Sequence, residues 1–144
     1  MEKKLLERIL ELSGKEKINI SVSEDNIYFE IKEKAKLSAE ETTSDFLLEY
    51  YFEDVEIRLR DGIYLILSDV STKKEHRNTG HATLLINSFI AWAKKRNYKG
   101  IALNASPTDY PKTHDAAQLA NFYAKFGFQE ILDQGSNIMM LLTI

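Results

Sequence analysis

The sequence contains no cysteine, and glycine and proline are scarce, with six and two residues among 144. Without cysteine the chain has no disulfide, no thiolate metal ligand and no cysteine nucleophile. No run of apolar residues approaches the roughly 20 that a membrane-spanning helix needs. Because glycine and proline are so few, those that are present mark specific turns and boundaries.

The composition is that of an ordinary globular domain. Hydrophobic residues make up 44% and charged residues 28%, which is enough apolar side chain for a packed core. The length predicts one domain spanning 1–144. The net charge of −3 argues against nucleic acid as a general partner, because proteins that bind phosphate backbones are normally basic.

The first residues predict an amphipathic helix that ends at Gly14, not a targeting signal. Charged residues at positions 7, 8 and 11 interrupt the leucines and isoleucines, so no continuous apolar segment forms. We therefore expect a cytoplasmic protein with no membrane partner.

Hydrophobic patterns before residue 53 predict a hairpin and leave one stretch ambiguous. Residues 18–22 and 27–31 alternate on either side of a polar turn, which is typical of two paired strands. Between 33 and 52, Ser38 and Glu41 have the form of a capping box, but the following threonines are poor helix formers. The aromatic run 46–52 resembles a strand.

The rest of the chain predicts strands that alternate with helices. Alternation at 55–60, a turn at Asp61-Gly62 and the apolar stretch 63–70 predict a second hairpin. The later elements are a strand ending near Thr72, a helix over 82–96, a strand over 98–105, a helix over 116–126 capped by Asp115 or Thr113, and strands over 128–132 and 138–144. This order indicates a mixed α/β (α+β) sheet with helices on its faces. The last strand is apolar enough for two buried faces, and a homodimer is left open.

The loop 72–83 joins the long strand to the first of these helices. A strand that feeds a glycine-bearing loop at a helix start presents backbone N–H groups at the positive end of the helix dipole, where phosphate binds well. Gly80 permits a left-handed turn, and Asn78 is one of the few other residues that tolerate it. The loop matches neither a Walker loop nor a dinucleotide loop, so by itself it also fits an ordinary helix start.

A second segment changes that interpretation. Arg77-Asn78-Thr79-Gly80-His81-Ala82 fits the (Q/R)xxGx(G/A) coenzyme A loop of the GNAT superfamily of N-acetyltransferases, and Phe122-Tyr123-Ala124-Lys125-Phe126-Gly127-Phe128 fits that family's later signature. The chain therefore resembles a GNAT N-acetyltransferase. The resemblance covers about 55–144, and 1–54 is the variable part of the single domain.

The resemblance implies a fold and a coenzyme site. The fold would be a mostly antiparallel mixed sheet whose two central parallel strands splay apart. The pantetheine arm of acetyl-CoA would lie beside Val70, Ser71 and Thr72, and the pyrophosphate would lie on the amides of 78–83. The coenzyme-binding residues are then Val70, Ser71, Thr72, Arg77, Asn78, Thr79, Gly80, His81, Ala82 and Thr83, with no metal.

The resemblance also implies direct acetyl transfer to an amine on a small molecule, peptide or protein. Tyr123 occupies the family position of the general acid, and its ordinary pKa near 10 keeps the hydroxyl protonated at neutral pH. Asp69 is the candidate base. Glu49, Glu53, His114 and a water chain are alternatives, while His76 and His81 would bind anions or face solvent. Asn104 would orient the acceptor or cap its own turn, and the loop 106–114 would form an acceptor rim or an idle surface.

Two other functions fit the same residues. A catalytically idle acyl-CoA-binding or interaction module would keep the fold without turnover. A toxin-like acetyltransferase acting on charged tRNA would need a basic rim, which the acidic pairs at 24–25 and 40–41 make less attractive.

Overall fold

A computed structural model describes residues 16–107 and 115–144. The predicted N-terminal helix, most of the loop 106–114, and the candidate residues Thr113 and His114 lie outside these ranges. Within them, no helix combines the length and the apolar character that crossing a membrane requires.

Seven strands form one sheet in the order β1-β2-β3-β4-β5-β7-β6. The strands are β1 Ile18–Ser23, β2 Asn26–Ile31, β3 Ala35–Thr43, β4 Ile63–Thr72, β5 Gly100–Ala105, β6 Gln129–Asp133 and β7 Ile138–Thr143. The pair β4–β5 is parallel, with recorded partners from Leu65↔Ile101 to Leu67↔Leu103, and both strands continue past that last pair. The predicted mixed, mostly antiparallel sheet with a central parallel pair is confirmed.

Within residues 16–107 and 115–144, three α-helices accompany the sheet: α1 Ser44–Phe46, α2 His81–Lys95 and α3 Ala116–Ala124. The predicted cap of α3 is confirmed, because the Asp115 carboxylate accepts the Gln118 N–H while the Gln118 side chain accepts the Asp115 N–H, both at 2.8 Å. This reciprocal capping box satisfies two N–H groups at the helix start.

The β1–β2 hairpin confirms the first strand prediction, and the structure resolves the ambiguous stretch that follows. Ser38 and Glu41 lie inside β3, so their capping-box pattern does not begin a helix. The aromatic run does not form a strand: α1 continues directly as a π-helical turn, Leu47–Tyr51. The Thr43 hydroxyl accepts the Phe46 N–H at 3.2 Å, so a threonine that disfavours the helix interior serves here as its N-cap.

The predicted strand over 55–60 is also wrong, although its alternation is real. Val55, Ile57 and Leu59 are half-buried against the hydrophobic core and the residues between them are exposed, yet this extended segment has no strand assignment. Alternation therefore indicates which side chains contact the core, and does not by itself establish a hydrogen-bonded ladder.

By its internal contacts the chain divides into two compact units. The first unit comprises Met1–Glu40 and Ser68–Arg96, and the second comprises Glu41–Leu67 and Asn97–Ile144. The single-domain division 1–144 stays a prediction.

In the first unit α2 packs onto strand β2. The ring centroid of Phe29 on β2 lies 5.7 Å from Phe89 and 5.8 Å from Trp92, both on α2. These edge-to-face contacts add to the apolar burial of the fully buried Phe29.

The second unit has a separate apolar core. Its buried members come from three strands, from the π-helical turn after α1 and from the residue that follows that turn: Leu47, Phe52, Tyr64, Ile66, Ala102, Met139 and Leu141. β7 lies between β5 and β6, and four consecutive residues from Ile138 to Leu141 are buried, which confirms the prediction of two buried faces.

Candidate functional site

The loop after β4 has the backbone that its sequence predicts. β4 ends at Thr72, a short 3₁₀ turn spans Lys74–His76, and α2 begins at His81. Asn78 has φ of 61° and Gly80 has φ of 91°, so both expected left-handed positions are confirmed. Two left-handed residues flanking Thr79 turn the chain sharply into the helix.

The start of α2 presents backbone N–H groups to the loop. Leu84 N–H donates to the Gly80 carbonyl at 3.0 Å, which begins the helical hydrogen-bond series. The N–H groups of His81, Ala82 and Thr83 precede that bond and therefore have no acceptor within the helix. Gly80, the N-cap, supplies no side chain to cover them. This arrangement suits an anion.

Side chains in the loop form a connected polar group. The Thr79 hydroxyl donates to the His76 carbonyl and is in hydrogen-bond contact with Nδ1 of His81. The His76 and His81 rings lie edge to face, 5.7 Å apart. His81 is only 5% exposed, so the expectation that it faces solvent is wrong. The buried His81 ring contacts the Thr79 hydroxyl and the His76 ring, and so helps to hold the loop in this conformation.

A carboxylate and an ammonium complete this polar group. Oε1 of Glu16 lies 2.5 Å from Nζ of Lys34 and 3.5 Å from Nε2 of His81. The hydrogen bond from Lys34 lowers the pKa of Glu16 most; burial opposes this shift, and His81 adds to it. The Lys34 carbonyl in turn accepts the Lys73 N–H at 2.8 Å, which links this pair to the start of the loop.

The Glu16–Lys34–His81 group was not predicted. Glu16 and His81 are 65 positions apart in sequence, and neither belongs to a recognisable spacing. The pairing of β1 with β2 and the packing of α2 bring these residues together, so the sequence carries no local signal for the group.

The other coenzyme candidates lie at the end of β4 and at the start of the loop. Val70 and Thr72 are half-buried, whereas Ser71 and Arg77 are exposed. Nε of Arg77 lies 3.5 Å from the Thr72 carbonyl, a long contact that leaves most of the guanidinium open to a ligand. Ala82 and Thr83 are half-buried in the first turn of α2.

Asp69 lines a groove in the first unit. The groove has a volume of about 450 Å³, and its wall comprises Asn19, Ser21, Tyr28, Phe29, Glu30, Lys36, Leu37, Ser38, Asp69 and Ser71. Only Asp69 and Ser71 of this wall are site residues that the sequence predicts. The register of β1, β2 and β3 brings the other wall residues together, and no local pattern reveals it.

Tyr123 and Asn104 belong to the second unit. Tyr123 is half-buried on α3, with its ring centroid 5.2 Å from Phe122 and 5.9 Å from Phe128. Asn104, at the end of β5, accepts a hydrogen bond from Nδ2 of Asn137 at 3.1 Å. That bond ties β5 to the connection between β6 and β7, an arrangement that differs from the predicted cap of its own turn.

A metal centre has no support in the part of the chain that the structure describes. There, no three histidine, aspartate or glutamate side chains are grouped so that they could hold a metal ion.

Solved structures share this fold at low sequence identity. Arabidopsis thaliana NAA60 in complex with acetyl-CoA matches with a TM-score of 0.61 and 16% identity, over 85% of this chain and 78% of that one. A GNAT-family acetyltransferase from Listeria monocytogenes matches with a TM-score of 0.57 and 14% identity, over 83% of this chain and 64% of that one. These likenesses show the fold.

Sequence comparison identifies the family. Residues 47–130 match the family model described as an acetyltransferase (GNAT) domain, which is more than half of the chain. The chain belongs to the GNAT acetyltransferase family. Streptothricin acetyltransferase A of Bacillus subtilis is 30% identical over 94 residues, which are 62% of this chain. The chain spans about half the length of that relative, 49%.

Proposed function

We propose that this protein transfers the acetyl group of acetyl-CoA directly to an amine on a small molecule, peptide or protein. The observation that carries the proposal is the loop at 77–83, where left-handed backbone at Asn78 and Gly80 leads into the uncapped start of α2. Family membership supports coenzyme A as the ligand of this loop, because residues 77–82 lie within the match and fit the coenzyme A motif of the family.

Coenzyme A fits the residues present. The pyrophosphate would lie on the amides of 78–83, with the exposed Arg77 guanidinium available to a phosphate. The pantetheine arm would follow Val70, Ser71 and Thr72 and pair with their main chain. Acetyl-CoA supplies the activated acetyl group, and the protein supplies position and protons.

Two side chains account for the proton movements. Asp69 removes a proton from the acceptor ammonium, so that the neutral amine forms the new C–N bond as the C–S bond breaks and its electron pair stays on sulfur. The Tyr123 hydroxyl then donates a proton to that sulfur, and the surplus proton on the new amide nitrogen passes through water to the tyrosinate, which restores the hydroxyl. Asn104 is proposed as an acceptor contact, with its amide held by Asn137.

The coenzyme site is tested by Gly80→Asp. The substitution places a side chain and a negative charge where the backbone must approach phosphate, so calorimetry should detect no coenzyme A binding. Gly135→Asp is the matched control: Gly135 also has a positive φ, of 86°, but no atom comes within 4 Å of an added Cβ. Equal coenzyme A affinity in the Gly80 variant and the wild type would remove the loop from the binding site.

Catalysis is tested by Tyr123→Phe, which keeps the ring and deletes the hydroxyl. Because general acid catalysis contributes about 10²–10⁴-fold, kcat should fall by that factor while coenzyme A affinity stays unchanged. The assay follows thiol release from acetyl-CoA with a panel of amines that includes streptothricin, for which the curated relative is named.

A second tyrosine provides the control for this assay. The Tyr64 hydroxyl donates to the Arg60 carbonyl at 2.9 Å within the core, so Tyr64→Phe should cost about 1 kcal/mol of stability and leave kcat unchanged. Coenzyme A binding without turnover in the wild type would favour the idle acyl-CoA-binding module instead.

A further inference from the structure

The sheet formed by the first four strands has one polar face and one apolar face. Cross-strand pairing places Ser21 opposite Tyr28 and Tyr28 opposite Ser38, so these side chains share one face. Phe29 and its buried neighbours occupy the other face, which α2 covers. The polar face provides most of the wall of the 450 Å³ groove, and Phe29 and Leu37 also line it.

The groove has the features that recognise an ammonium group. Tyr28 is 45% exposed, an unusual position for a large ring that is not needed in the core. An exposed aromatic face attracts a cation, and the same wall contains the carboxylates of Glu30 and Asp69. The wall also has amide and hydroxyl groups that can hydrogen-bond a ligand, on Asn19, Ser21, Ser38 and Ser71.

The two carboxylates differ in availability. Glu30 faces Lys36 across the strands, with Oε2 and Nζ 3.8 Å apart. Over residues 16–107 and 115–144, no hydrogen bond or ion pair reaches the Asp69 carboxylate. Asp69 is therefore the wall residue whose charge is ready for a ligand cation.

One strand connects this groove to the coenzyme site. Side chains alternate along β4, so Asp69 and Ser71 face the groove while Val70 and Thr72 point the other way. The proposed pantetheine contacts and the groove wall thus share the same four residues of backbone. An amine bound in the groove would therefore approach a thioester that is held along Val70 and Ser71.

We propose that the groove is the acceptor site and that the acceptor is a small molecule with more than one amine, which rests on the function proposed above. One amine reacts after Asp69 removes its proton, while a second remains an ammonium held by Tyr28 and Glu30. The volume agrees with a small ligand, since such sites are typically about 300–1,000 Å³. The acceptor is then a compact molecule with at least two amines, and not any amine.

The first experiment measures binding of two probes in the presence of coenzyme A. Cadaverine has two amines, and pentylamine has the same carbon chain with one. Cadaverine should bind about tenfold more tightly, because it gains a second cation contact. Ser21→Trp fills the groove and should abolish this binding. Ser23 is on the same strand but outside the groove wall, so Ser23→Trp should leave cadaverine binding unchanged.

The second experiment tests the aromatic contact. Tyr28→Phe keeps the ring face and should retain cadaverine affinity, whereas Tyr28→Leu should weaken it about threefold to tenfold. Cadaverine binding that is no tighter than that of pentylamine, or that survives Ser21→Trp, overturns the groove proposal. Coenzyme A titration of the wild type is read separately: no coenzyme A binding would instead overturn the function proposed above.

Discussion

The two compact units differ in how they use strand β4. In the second unit β4 contributes to the apolar core and has four consecutive buried residues, Tyr64 to Leu67. In the first unit the same strand continues from Ser68 to Thr72 with residues that are exposed or half-buried. The first half of β4 therefore stabilises the core, and its second half presents side chains that a ligand can contact.

The comparison shows where substitutions should act. Changes in the buried half of β4 should alter the free energy of unfolding, because packing is lost. Changes in the exposed half should alter binding or turnover, because the residues there contact little of the protein.

Leu65→Ala should have the largest effect on stability. Leu65 is fully buried, and truncating such a leucine costs about 2–5 kcal/mol. Ile63 on the same strand is 44% exposed, so Ile63→Ala should cost less than about 1 kcal/mol. Urea unfolding of both variants measures the difference, and equal losses would contradict the assignment of this half-strand to the core.

Asp115→Ala should have an intermediate effect. The substitution removes the capping box of α3, and loss of such an N-cap costs about 0.5–2 kcal/mol. Asn121 is exposed within the same helix, and Asn121→Ala should be neutral or slightly stabilising, because alanine is the better helix former. A thermal scan in which the two variants melt together would show that the cap does not stabilise the helix.

Glu16→Gln should have the smallest effect and should change the pH dependence of stability. Lys34 lowers the pKa of Glu16 below its ordinary 4.5, so the folded protein binds fewer protons there than the unfolded chain. The contribution of Glu16 is complete above pH 4.5 and is lost as the pH falls through the lower, folded-state pKa.

Urea titrations at a series of acidic pH values measure this effect. The wild type should lose stability relative to Glu16→Gln as the pH falls. Glu40→Gln removes an exposed carboxylate from β3 and controls for the loss of one charge. Parallel pH profiles for the wild type and Glu16→Gln would show that the network does not stabilise the fold.

Local rules predicted the elements whose signals are local. The hairpin around residues 24–25, the left-handed backbone at Asn78 and Gly80, and the Asp115 cap depend on neighbours within a few positions. The motif at 122–128 and the loop at 77–82 added the family, which the match to 47–130 confirms.

The remaining features depend on contacts that no spacing reveals. The aromatic run 46–52 has a strand-like composition, yet the Thr43 cap and the burial of Leu47 and Phe52 make it helical. The groove needs the register of three strands, and the Glu16–His81 contact needs the packing of α2. The roles of Asp69, Asn104 and Tyr123 remain predictions that the proposed variants test.

The aromatic packing of Trp92 gives the protein a built-in optical reporter. Trp92 is the single tryptophan in the sequence. Its ring stacks on Phe89 and meets Phe29 edge to face, and the Arg96 guanidinium lies 4.7 Å from the centre of its ring. Its fluorescence therefore reports the first unit. Most tyrosines belong to the second unit, so near-ultraviolet circular dichroism from tyrosine weights that part of the chain. Coincident loss of the two signals during unfolding would show that both units melt as one cooperative structure.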